Sequence, residues 1–197
     1  DVGTYERNKE AADAENKQVV ACLNTGKVCI FTSTGRMHQA KVLDLPYGNF
    51  RSKGTPIDNV SNFNSTEEEI VYICDENQMR IGKFLFVTKR GMVKIVDGSE
   101  FLVSKRTIAA TKLAEGDEVL SVQIINAKQS IVLQTEGGYF LRFHSSEVSE
   151  MKKTAVGVKG IKLQKNDAVE QVYLFEEGKE AKVMYKDKEL TLNRLKQ

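Results

Sequence analysis

An all-β fold of repeated, propeller-like blades is what the sequence predicts, and three observations predict it. First, a Thr-x-x-Gly-x-apolar pattern occurs three times, as TSTGRM (32–37), TKRGMV (88–93) and TEGGYF (135–140). A degenerate fourth copy, YKDKEL, occupies 185–190. Second, successive copies begin 56, 47 and 50 residues apart, the length range of a four-stranded propeller blade. Third, a short apolar run precedes each copy, VCIF, FLFV, IVL and AKVM in turn, while a 3.6-residue apolar period is scarce.

Taken in order along the chain, residues 1–17 are expected to form an exposed connection from an upstream blade. TYERNKEAADAENK (4–17) holds good helix formers but almost no apolar stripe. Residues 18–197 are expected to form the repeated domain, opening with QVVACLN (18–24) as a strand of an earlier blade. Each hairpin is expected to turn near Gly35, Gly91, Gly137–Gly138 and Asp187, because glycine supplies the backbone freedom of a tight turn. After each of the first three hairpins comes a basic stretch with a threonine: RSKGTPIDNV (51–60), KRTIAATKL (105–113) and KKTAVGVKGIKL (152–163). An acidic turn and another apolar strand close each unit: STEEEIVYI (65–73), EGDEVLSV (115–122) and KNDAVEQV (165–172). Alternation along the strands predicts that Cys22, Cys29, Ile30, Cys74, Phe84, Phe86, Ile131 and Leu133 are buried.

Bulk properties narrow the function. The apolar fraction is 41% and the charged fraction 28% over 197 residues, enough for one substantial domain or two small ones. No apolar run approaches the roughly 20 residues that span a bilayer. No signal peptide is seen, and the first residue is Asp1 rather than Met, which reads as a cut in a longer protein. Three cysteines are too few, and odd in number, for a disulfide framework. There is no CxxC, and His38 and His144 lie far apart, so no metal site is expected. No P-loop, nucleophile elbow or acid–base constellation is present. Neither a catalytic residue nor a cofactor is therefore expected in this chain.

The net charge of +2 conceals a segregation. Residues 80–113 hold eight bases against two acids, residues 140–165 six against two, and residues 58–78 six acids and no base. Recurrent basic segments on equivalent blades are expected to line up as a belt, with the acidic turns placed elsewhere. The stretch FVTKRGMVKIV (86–96) is the type case, a hairpin with Lys89, Arg90 and Lys94 at a basic tip. The belt comprises Arg51, Lys53, Lys89, Arg90, Lys94, Lys105, Arg106, Lys152, Lys153, Lys159 and Lys162. Such a belt suits duplex DNA, whose phosphates give affinity without sequence information and allow bending round a curved surface. The alternative is a protein-interaction propeller whose acidic turns make the contacts. A propeller enzyme would need convergent carboxylates or metal ligands, which the repeats do not supply.

These units resemble a known family. VCIFTSTGRMHQAKVLDLP, FLFVTKRGMVKIVDGSEF and, most specifically, GGYFLRF…SEV…MKKTAVGVKGIKL are similar to the C-terminal domain of the A subunit of bacterial type IIA topoisomerases, DNA gyrase and topoisomerase IV. The resemblance runs from about Gln18 onward. It implies a β-pinwheel, a propeller-like disc whose blades exchange strands and which binds and bends duplex DNA on a basic rim. It also implies a bacterial, cytoplasmic and nucleoid-associated location. The implied partners are the B subunit and the rest of the A subunit, in an A2B2 complex with ATP and Mg2+ used elsewhere. One feature departs from the gyrase pattern: the basic, glycine-rich box of the first blade is missing. YERNKEAADAEN (5–16) stands nearest its place, without glycine. The box either lies upstream of Asp1 or is absent, as in a topoisomerase IV-type or box-less gyrase-like subunit.

Overall fold

The computed structural model describes residues 19–49 and 51–192. Thirteen strands fall into four sheets among these residues. Strands β1 (Lys27–Thr32), β2 (Arg36–Lys41), β3 (Ile70–Asp75) and β6 (Thr107–Ala109) form the first, in the order β3-β1-β2-β6. Strands β4 (Lys83–Thr88), β5 (Met92–Asp97), β7 (Val119–Ile125) and β10 (Val158–Lys159) form the second, in the order β10-β5-β4-β7. Strands β8 (Gln129–Thr135), β9 (Phe140–His144) and β11 (Val169–Glu176) form the third, and β12 (Ala181–Tyr185) with β13 (Lys188–Leu192) the fourth. All pairings between these strands are antiparallel. The all-β, blade-like prediction is borne out.

The hairpins are built by the threonine and glycine of the repeat. The threonine carbonyl accepts the glycine N–H at 3.0 Å (Thr32, Gly35), 2.9 Å (Thr88, Gly91) and 2.9 Å (Thr135, Gly138). The threonine Oγ1 then accepts the next amide, from Arg36, Met92 and Tyr139, at 3.3, 3.1 and 3.2 Å. All three glycines have φ near +80°, where a side chain is strained. The fourth turn is built differently, as a two-residue turn between the paired Tyr185 and Lys188 with Lys186 and Asp187 both at positive φ.

Blades are tied by strand exchange. β6 follows β5 in the chain but pairs with β2, with His38 opposite Thr107 and Arg36 opposite Ala109. β10 follows β9 but pairs with β5, with Val93 opposite Val158. The core lies between sheets. Phe31, Phe84, Phe86 and Phe101 interlock at centroid distances of 5.1–5.9 Å between the first and second sheets. Leu85, Val87, Ile131 and Leu133 fill the space between the second and third. Strand β4 thus buries both faces, Phe84 and Phe86 one way and Leu85 and Val87 the other, which is why FLFV has no polar alternation. Each such side chain contributes roughly 1.5–3 kcal/mol.

Three expectations are corrected. Residues 19–24 form no strand; Leu23 instead starts a turn, its carbonyl accepting the Gly26 N–H at 2.9 Å. Cys22, in that segment, is exposed, whereas Cys29 and Cys74 are buried on paired positions of β1 and β3. Ile30, Phe84, Phe86, Ile131 and Leu133 are buried as expected. A short helix, α1 (Glu76–Ile81), connects β3 to β4, capped by Asp75, whose carboxylate accepts the Gln78 N–H at 3.1 Å. The expected connection at 1–17 lies outside the described residues.

Candidate nucleic-acid interface

Lys105 and Arg106 stand immediately before β6, on the chain segment that crosses from the second blade back to the first. Both are exposed and make no ion pair among the described residues. Their backbone is fixed: Gln39 N–H donates to the Arg106 carbonyl at 2.8 Å, and Gln39 Nε2 to the Lys105 carbonyl at 2.6 Å. Arg106 lines a cleft of about 300 Å³ with Lys27, Gln39, Lys41, Asp44 and Ser104. Lys27 and Lys41 face each other across β1 and β2, so this cleft gathers three cations with the carboxylate of Asp44, and Lys27 is also paired with Glu76 at 3.7 Å. Sequence spacing did not single out Lys27 or Lys41, because they lie outside the repeated basic segments.

Lys159 lies on the exchanged strand β10 opposite Met92, and Lys162 three residues beyond; both are exposed and without ion pairs among the described residues. Ala110 N–H and Gly160 N–H each donate to the carbonyl of the preceding blade's turn glycine, Gly35 and Gly91, at 2.8 Å. That register makes Lys112 the counterpart of Lys162, a cation the sequence reading omitted. It also shows that the basic pairs are not equivalent. Lys105 precedes Ala110 by five residues, whereas Lys152 precedes Gly160 by eight. Arg51 and Lys53 are exposed in the irregular segment between β2 and β3.

The remaining candidates are engaged by protein groups, so the acidic turns are not segregated from the bases as expected. Lys89 pairs with Glu118, and Arg90 Nη1 donates to the Glu115 carbonyl at 2.8 Å. Lys152 pairs with Glu100 at 3.2 Å, and Lys153 Nζ donates to the Glu100 carbonyl at 3.2 Å. The acidic turn has a structural task that explains its place. Asp117 Oδ1 accepts from the amides of Arg90 and Glu118 at 3.1 and 2.8 Å, and Asp167 Oδ1 from those of Gly137 and Ala168 at 2.9 and 2.8 Å. In the first blade the corresponding Glu68 is buried against Thr34 Oγ1 at 2.7 Å and His38 Nε2 at 2.5 Å. Burial opposes ionisation of Glu68, but the hydrogen bonds from Thr34, Thr32 and His38 outweigh it and hold the carboxyl below its usual value.

Lys94 does not sit at a basic tip. Its side chain is only 1% exposed, and Nζ donates to the carbonyls of Lys152, Lys153 and Ala155 at 3.2, 3.1 and 2.7 Å. Strand alternation turns it inward: Lys89 and Arg90 lie in the turn, but Lys94 is two residues into β5.

A family described as the DNA gyrase C-terminal domain, a beta-propeller, matches residues 82–126 and 129–176. The DNA gyrase A subunit of Lawsonia intracellularis is 36% identical over 163 residues, covering 82% of this chain and 20% of that protein. That of Chlamydia pneumoniae is 34% identical over 154 residues, covering 77% and 18%. The C-terminal domain of DNA topoisomerase IV superposes with a TM-score of 0.77 at 26% identity, over 88% of this chain and 57% of that one.

The chain belongs to the C-terminal domain family of gyrase and topoisomerase IV A subunits. The E. coli ParC C-terminal domain shares the fold, with a TM-score of 0.72 at 18% identity over 88% of this chain and 71% of that one. The chain spans about a fifth of the length of the gyrase A subunits it matches. Its exchanged strands β6 and β10 accord with the β-pinwheel that the family resemblance implies. Among the described residues no cluster of three or more His, Cys, Asp or Glu is placed to hold a metal, and no helix is long and apolar enough to cross a membrane.

Proposed function

We propose that this domain binds duplex DNA through phosphates along its exchanged edge strands, as a non-catalytic module of the A subunit of a type IIA topoisomerase. The observation that carries the reading is the row of exposed, unpaired cations on those strands: Lys105 and Arg106 before β6, Lys159 on β10, and Lys162 after it. Lysine and arginine that no carboxylate neutralises are available to displace counterions from DNA. Arg51 and Lys53 extend the same set. Lys152 and Lys153 join it less strongly because Glu100 holds them, and Lys94 is excluded by burial. The wider reading places cleavage, ATP and Mg2+ chemistry elsewhere in an A2B2 complex, in the B subunit and the rest of the A subunit. There the domain presents bent DNA for strand passage and supercoiling, in a bacterial cytoplasm at the nucleoid.

The test is a salt titration of binding to two unrelated duplexes. Replacing Lys105 and Arg106 by alanine is expected to weaken binding equally on both. The log–log salt slope is expected to fall by roughly 0.9 for each phosphate no longer neutralised. Unchanged affinity and slope on both duplexes, repeated for Lys159 and Lys162, would transfer the function to the protein-interaction reading.

A further inference from the structure

We propose that Lys94 and Gln39 are positioning residues: buried donors that grip, by its backbone carbonyls, the basic segment of the following repeat and so fix where its cations stand. The proposal rests on the DNA-binding reading for its purpose, and on geometry for its substance. An ammonium group carries three N–H donors, and burying one without partners is prohibitive. Lys94 places all three on a single loop, at the carbonyls of Lys152, Lys153 and Ala155. Its ammonium also lies 5.5 Å from the Phe86 ring centroid, so it is held from both sides. The loop has no strand of its own between Met151 and Val158. Its other anchors are Met151 N–H to the Ile95 carbonyl at 2.8 Å, Ala155 N–H to the Lys152 carbonyl at 3.0 Å, and Glu100, which takes Lys153 N–H at 2.9 Å, Lys153 Nζ at 3.2 Å and Lys152 Nζ at 3.2 Å. Among the described residues the carbonyls of Lys153 and Ala155 meet Lys94 and none of these other anchors.

The first blade reaches the same end with different chemistry. Gln39 lies on β2 four residues beyond the turn glycine Gly35, whereas Lys94 lies on β5 three residues beyond Gly91, so the two hold neighbouring rather than equivalent register positions; Gln39 is 5% exposed. Its Nε2 donates to the carbonyls of Val103 and Lys105 at 3.0 and 2.6 Å, and its Oε1 is met by the Cys29 thiol at 3.9 Å. Each donor belongs to one repeat and the segment it holds to the next, so the first two junctions each carry a grip that crosses from blade to blade. Two unlike side chains at non-equivalent positions thus reach the same kind of target, the backbone carbonyls of the next repeat's basic segment. A core requirement alone would be met by an apolar residue at either site.

The test uses the full chain with Lys94→Met, which keeps length and volume but no donor, and Lys94→Gln, which supplies the two amide donors that serve at Gln39. Amide exchange at Thr154–Val156 and the salt slope for a random-sequence duplex are read for each. Methionine is expected to lower protection of those amides and to reduce the slope by up to roughly 0.9 per phosphate released. Glutamine is expected to restore part of both. Unchanged exchange and slope in the methionine variant would overturn the proposal, as would a glutamine variant that loses as much as methionine. Lys152→Ala with Lys153→Ala, run in parallel, separates the two readings. If that pair lowers the slope and Lys94→Met does not, positioning fails and DNA binding stands. If the pair leaves binding intact while Lys94→Met frees the loop, the DNA reading fails at this loop and the backbone grip stands.

Discussion

An ammonium group that water cannot reach titrates unlike one that it can. Burial pushes the Lys94 ammonium from its ordinary 10.5 down to about 8, with Glu100 pulling weakly the other way. Between those values the unfolded chain binds a proton that the folded chain does not. Stability therefore rises as pH climbs from about 8 to 10.5, and that gain is lost again as pH falls back toward 8. Lys94→Met removes the linkage, so the difference in unfolding free energy between wild type and variant is expected to grow in favour of wild type as pH rises above 8. Urea denaturation at a series of pH values checks this, and parallel curves would refute it. Glycine gives a second residue-scale contrast. Gly91 and Gly54 have nearly the same φ, +79° and +78°, but a Cβ on Gly91 would meet Ile161 Cγ2 at 2.7 Å, while one on Gly54 meets nothing within 4 Å. Backbone strain alone costs about 1–2 kcal/mol, so Gly54→Ala is expected to lose about that much. Gly91→Ala is expected to lose more, because crowding adds to strain. Equal losses would show that Ile161 moves aside freely.

At the level of elements, each of the first three hairpins is completed by a carboxylate that arrives some thirty residues later. Asp117 illustrates it, 7% exposed and holding two amides, one of them on the turn residue Arg90. Asp117→Ala leaves both donors without a partner, at a cost of roughly 1–3 kcal/mol. Glu115, exposed in the same turn and using only its backbone carbonyl toward Arg90, is expected to tolerate alanine within about 0.5 kcal/mol. Thermal or chemical unfolding of the two variants checks the contrast, and similar losses would mean that the clamp has no special role. This element also shows what the sequence could and could not reveal. The hairpins were legible because Thr-x-x-Gly is a local code, with every hydrogen bond made within five residues. The blade repeat was legible for the same reason. The short helix at Glu76–Ile81 was not, since six residues carry too little periodicity to register. The burial of Lys94 was missed because a single lysine inside an apolar alternation looks the same whether its side of the strand faces water or a loop of the next blade. The acidic turns read as charge placed away from the basic belt because their buried member, Glu68 or Asp117, has partners distant in sequence.

Across the whole molecule, the charges of the predicted belt separate by what already holds them, and that ranks their value to DNA. Lys105 and Arg106 have no carboxylate partner among the described residues, and Arg106 shares a cleft with Lys27 and Lys41. Lys152 leans on Glu100, and Lys89 and Arg90 are met by the acidic turn at 115–118. Exposed ion pairs are weak, worth about 0–1 kcal/mol, and screening reaches about 10 Å at 0.1 M salt. DNA can therefore compete for Lys152 or Lys89, but each carboxylate left behind repels the phosphate that replaces it. Three alanine pairs should thus flatten the salt dependence in a fixed order: Lys105–Arg106 most, Lys152–Lys153 next and Lys89–Arg90 least. Folding stability should barely move for the first pair, since no partner is orphaned. Measuring all three slopes on one duplex, at salt high enough to make binding reversible, decides the path of the DNA. A slope that falls as far for Lys89–Arg90 as for Lys105–Arg106 would place the duplex across the hairpin turns, and the edge strands would lose their claim to it. The predicted order would instead leave the duplex running along the strands that the blades exchange. The segments that join one blade to the next would then be the ones that DNA presses upon.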